Sequence, residues 1–233
     1  MDDLHSPEEP TPDSRALYPP PSQTFLILII AIGISLLLGF LLKDFGKINV
    51  VVSELCFIIP ALIFLRQKGY NLRRCLRWNS ISPPTALLSV LIGVALIVLL
   101  DELDRLVAMV FPMPEEFREI LGEFLKLESW QDYLFMGVGV VLAAAVAEES
   151  LFRGFMQVSL EAYQNINRAV LLGALLFALA HFNPWWMMQI LILGIFLGYL
   201  SWRANSVFPG MIVHALNNGL ALFTGGDLGS AEW

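Results

Sequence analysis

The chain has 233 residues, of which 57% are hydrophobic and only 15% charged, and its mean hydropathy is +0.68. Soluble domains sit near about 45–50% apolar and about 25% charged, so this composition excludes an ordinary soluble fold and points to an all-α, polytopic transmembrane helical bundle. A net charge of −7 with a pI near 4.9 argues against nucleic-acid binding. The two cysteines, Cys56 in an apolar run and Cys75 in a basic loop, make no disulfide framework.

Residues 1–23 are rich in proline and acid and read as a disordered tail that holds His5. The apolar run 24–42 follows an acidic stretch, is too long for a signal-peptide core and lacks a small-x-small cleavage site, so it is expected to be the first transmembrane helix. A second run, 48–65, contains Pro60, a kink position, and ends in a loop bearing Arg66, Lys68, Arg73, Arg74 and Arg77. A third, from 84 to about 100, closes on Asp101, Glu102 and Asp104. Beyond Pro112 and Pro114, the residues Phe117, Ile120, Leu121, Phe124 and Leu125 recur at helical spacing with acids opposite. That pattern predicts an amphipathic helix lying at the interface.

The fourth run starts near Asp132 and is expected to continue to about Tyr163, far longer than a span requires. The fifth covers 166–182 and is stopped by Asn183-Pro184. The sixth, 185–202, opens on two tryptophans and holds Gly194 and Gly198 four apart, which predicts close helix packing. The seventh covers 207–224 and is followed by a short Gly-rich acidic tail. With the Arg-rich loop inside, Arg15, Arg66, Lys68, Arg73, Arg74, Arg77, Arg153, Arg168 and Arg203 fall on one side and Lys43, Lys47, Arg105, Arg118 and Lys126 on the other. This asymmetry predicts a multi-pass protein of the plasma (inner) membrane with a cytoplasmic N-terminus. The organisation is a tail (1–23), N-terminal helices with the amphipathic helix (24–129) and a C-terminal transmembrane core (130–233).

The most informative stretch is AVAEESLFRG, residues 145–154. A charge at the centre of a membrane helix costs roughly 2.5–3.5 kcal/mol or more, so Glu148, Glu149 and Arg153 require partners. Glu149 and Arg153 lie four apart on one helical face and are expected to pair. Glu148 points about 100° away and is free to face something else. Candidates are His181, one turn after Phe177, and His214, one turn before Asn218. If the chain turns near Gln164, Glu148 and His181 stand at equal depth, about 25 Å from the turn. His214 fits that arithmetic less well. A carboxylate shielded from water can act as a general base on water, while His and Asn can donate to an oxyanion. The same atoms, Glu148, His181 and His214, also form a His₂Glu set of a kind that binds catalytic zinc, although no H-E-x-x-H is present.

E-E-x-x-x-R (Glu148, Glu149, Arg153), F-x-x-x-H (Phe177, His181) and H-x-x-x-N (His214, Asn218), in this order on successive apolar helices, resemble the CPBP family of CAAX-prenyl-protease and Abi-type intramembrane endopeptidases. The resemblance covers about residues 130–224. It implies that Glu148 and His181 activate water, that His214 and Asn218 stabilise the oxyanion, and that Glu149 with Arg153 shapes the site. It also implies a peptide or prenylated protein substrate beside membrane lipid, and it leaves open whether no cofactor or a single divalent metal such as zinc is used. Two other classes fit the polar cluster: a non-catalytic scaffold or immunity protein, and a Glu/His proton-relay transporter. The absence of an internal repeat speaks against transport.

Overall fold

The structure is a computed structural model that describes residues 15–224; His5, most of the predicted N-terminal tail and the acidic C-terminal tail lie outside the described residues. Eight helices organise it: α1 (Pro21–Leu41), α2 (Ile48–Gln67), α3 (Pro83–Val110), α4 (Glu115–Leu125), α5 (Trp130–Tyr163), α6 (Ile166–Ala180), α7 (Met187–Ala204) and α8 (Phe208–Thr224). Among the described residues there is no strand.

The predicted helices are all present, with three differences that have physical reasons. First, α1 begins at Pro21, where proline's fixed φ and missing N–H suit the first helical turn. The residues just before it are packed, and this corrects the tail for 15–23. Ser159 Oγ donates to Pro19 O at 2.7 Å, and Tyr18 packs on the core. Second, α3 runs ten residues past its expected end, because Arg105 reaches back to Asp101 (2.9 Å) and Glu102 (3.4 Å) along the helix. Third, α1, α2, α3, α5 and α7 are long and apolar enough to cross a membrane, whereas α6 has 15 residues and α8 has 17. α6 is below the roughly 17–25 residues of a span, and α8 reaches to the last described residue. Among the described residues there are therefore seven apolar helices, of which five are long and apolar enough to cross a membrane.

The break in α2 falls at Ile58, beside Pro60, as the sequence predicts. α4 carries no buried residue and leaves Phe117, Ile120 and Phe124 exposed, as an interfacial helix should. The close contact expected of Gly194 and Gly198 is present: a Cβ on either would stand within 3.1 Å of α6 or of Gln157 on α5.

α5 is the central helix. Half of its most apolar window is buried, against 17–28% for the other spanning helices, and it packs on α1, α2, α6 and α8. It contains two π-helical stretches, Gly137–Ala143 and Ser150–Met156, with Ala144–Glu149 between them. Such turns re-aim side chains and recur at functional sites. Gly154, in the second stretch, lets the backbone of the α2–α3 loop lie on the helix; a Cβ there would stand 2.5 Å from the Leu76 carbonyl oxygen.

Candidate active site

Glu149 and Arg153 share the face of α5 that turns towards α8. Arg153 Nη1 donates to Glu149 Oε1 at 2.7 Å, and both side chains are essentially inaccessible. The guanidinium also lies 4.0 Å from the centroid of Phe177, a cation–π contact that low hydration strengthens. Glu149 Oε1 takes a second bond from α8, where His214 Nδ1 stands 3.0 Å away. A carboxylate already paired with Arg153 can only accept, so His214 Nδ1 carries the proton. Gly210, one turn before His214, makes the room, because a Cβ at that position would be 2.7 Å from Glu149 Oε2.

Glu148 faces a different neighbour. Its Oε2 lies 4.0 Å from His181 Nε2, too far for a direct hydrogen bond and the span of one bridging water. His181 caps the C-terminus of α6, and its Nδ1 is 2.8 Å from the Phe177 carbonyl oxygen. A carbonyl only accepts, so Nδ1 holds the hydrogen and Nε2 presents a lone pair towards Glu148. Glu148 and His181 line a cavity of about 210 Å³ together with Glu54, Ser35, Phe152 and Phe182.

The equal-depth expectation for Glu148 and His181 therefore agrees with the geometry. His214 does not share that cavity: its Nδ1 is committed to Glu149, and it is not among the residues lining the cavity. Phe177 holds the two halves together, with its ring edge-on to His181 at 4.7 Å and to His214 at 5.7 Å. The depth puzzle at His214 has a local cause. The α7–α8 turn does not lie in solvent; Ser206 and Val207 are fully buried, and the Val207 N–H donates to the Arg77 carbonyl. α8 thus starts inside the bundle, and two turns suffice to reach Glu149. Asn218, one turn further, donates from Nδ2 to the Val140 carbonyl at 2.9 Å in the first π-helical stretch, so part of its amide ties α8 to α5.

The zinc set weighed from the sequence does not fit this arrangement. His181, His214 and Glu148 do not converge, and among the described residues no three His, Cys, Asp or Glu side chains group as metal ligands. Neither cysteine contributes, and burial pushes the Cys75 thiol up to about 11. The residue that sequence reasoning missed is Glu54. It is an acid within the apolar run of α2, and among the described residues it makes no hydrogen bond or ion pair. A lone carboxylate in such a run was itself the signal.

Residues 130–220 match the family model for type II CAAX prenyl endopeptidases, Rce1-like. This segment, under half of the chain, is similar to that family. No curated protein matches the chain. The matched segment begins at the first residue of α5 and ends within α8, so it contains Glu148, Glu149, Arg153, His181, His214 and Asn218. Glu54 and α1–α4 lie outside it.

Proposed function

We propose that this protein is an intramembrane endopeptidase that hydrolyses a peptide bond of a membrane-associated substrate, CAAX-like or leader-peptide in character, in the plasma (inner) membrane. The observation that carries the proposal is the pairing of Glu148 Oε2 with the unprotonated Nε2 of His181, 4.0 Å apart on the wall of a cavity. A water between them donates one hydrogen to each, and its oxygen lone pair is left for a carbonyl carbon. Glu148 takes the proton as the C–O bond forms and the carbonyl electrons move to oxygen. The same proton passes to the amine as the C–N bond breaks, so the carboxylate is regenerated.

His214 and Asn218 stabilise the oxyanion. With Nδ1–H held by Glu149, Nε2 is the ring atom of His214 left to face the oxyanion, and it donates there only from an imidazolium. Glu149 and Arg153 are positioning residues, since Glu149 holds the His214 ring through Nδ1 and Arg153 pairs with Glu149.

The test is Glu148→Gln, purified and co-expressed with candidate CAAX and leader-peptide substrates. The amide keeps the shape and cannot take a proton. Cleavage should fall by at least about 10²–10⁴-fold with unfolding temperature unchanged. Cleavage at the wild-type rate would remove Glu148 from the mechanism.

A further inference from the structure

A second cavity, of about 370 Å³, opens where the α2–α3 loop, the end of α5 and the α7–α8 turn meet, and it is lined by Tyr18, Asn71, Arg73, Arg74, Arg77 and Asn205 among others. Its floor is fixed. Arg77 makes a two-pronged ion pair with Glu161, and Glu161 also accepts from Gln157 Nε2 at 2.8 Å. The loop and the turn are latched to each other: Asn79 Nδ2 donates to Asn205 O at 2.8 Å, and Ser206 Oγ donates to Asn79 O at 2.5 Å.

Two features mark this cavity as more than a surface fold. Three non-glycine residues among the described ones have positive φ: Arg77 (53°), Phe182 (50°) and Asn205 (44°). Phe182 lines the cavity of Glu148 and His181, and the other two line this one. Backbone held in that region persists only where surroundings over-determine it, and it clusters at ligand sites. The second feature is charge. Glu161 is taken by Arg77, whereas Arg73 and Arg74 are exposed and form no ion pair among the described residues. Two uncompensated guanidinium groups beside amide and phenol donors in a chain of net charge −7 make a concentrated anion receptor suited to phosphate oxygens. Its height in the membrane identifies the source of the phosphate. The cavity lies where α2, α5 and α7, three helices long and apolar enough to cross a membrane, all end at Gln67, Tyr163 and Ala204, the level at which headgroups sit.

We propose that this cavity binds the phosphate of an anionic phospholipid headgroup at the basic face of the bundle. The full-length protein in detergent is titrated with phosphatidylglycerol, phosphatidylcholine or inorganic phosphate while its thermal unfolding is followed. Phosphatidylglycerol should raise the midpoint, and phosphatidylcholine should not. Arg73→Gln/Arg74→Gln should require about thirtyfold more phosphatidylglycerol for the same shift, the loss expected of two interfacial basic side chains. Arg168→Gln/Arg203→Gln, which removes two exposed charges from the same face, should respond as wild type does. Inorganic phosphate as effective as phosphatidylglycerol would overturn the lipid source in favour of a soluble phosphate. Equal loss in both double variants, or none in either, would overturn the site. So would a response that appears only when residues 1–14 are removed, since that would assign the cavity to the chain's own Asp2, Asp3, Glu8, Glu9 and Asp13.

Discussion

Arg153→Ala tests the buried half of the site most severely. The wild-type guanidinium is 1% exposed, donates to Glu149 at 2.7 Å and stacks on Phe177 at 4.0 Å. Truncation removes the cation and leaves Glu149 buried with only His214 Nδ1 at 3.0 Å. Breaking a buried pair by removing one partner costs about 3–5 kcal/mol, mostly as the desolvation of the orphaned charge. For a chain of this length each kcal/mol moves the unfolding midpoint by about 2–4 °C, so the variant should melt roughly 6–20 °C lower in detergent. Differential scanning fluorimetry reads the shift. Glu149→Gln/Arg153→Met, which removes both charges and keeps the volume, should recover a substantial part of it, because the two deletions share one interaction. An Arg153→Ala midpoint within about 2 °C of wild type would refute the claim that this pair is a desolvated structural element.

Glu54→Leu removes a carboxylate that makes no ion pair among the described residues and lies in an apolar helix. It should stabilise the fold by on the order of 2 kcal/mol while lowering cleavage, and a lower unfolding midpoint would show that Glu54 is structural instead. Gly154→Ala drives a methyl to 2.5 Å from the Leu76 carbonyl oxygen and 2.9 Å from its Cα. Because backbone must move, it should destabilise by about 1–3 kcal/mol or more despite alanine's better helix propensity; wild-type thermal stability would place the α2–α3 loop off α5.

The parts of this site that were legible in the sequence are those set by helix periodicity alone. Glu149 with Arg153, Phe177 with His181 and His214 with Asn218 are all four-residue relations, and a helix places such residues on one face whatever the tertiary fold. The equal depth of Glu148 and His181 was likewise legible, because counting from a single turn needs only the 1.5 Å rise. What could not be counted was the path of α8. Its depth depends on Ser206 and Val207 being drawn under the α2–α3 loop by bonds to Asn79 and Arg77, residues about 130 positions earlier. Hydropathy sees an apolar run there and assigns it a full span. The same blindness hid the packing of residues 15–20, whose prolines look like a tail by composition and are fixed by a hydroxyl on α5.

The adjacency of Glu148 and Glu149 follows from where α5 sits. A helix packed between α6 and α8 must present one group to each, and consecutive residues diverge by about 100°. One carboxylate can then meet His181 while the next meets His214. The two cannot exchange tasks. Glu149 shares its face with Arg153, so its charge is balanced by the guanidinium while it holds an imidazole. Glu148 has no cation on its own face, opens to a cavity and stands one water away from a lone pair. In the proposed mechanism, the spacing of a single arginine, four residues after the second acid and not the first, therefore decides which glutamate positions and which one takes the proton.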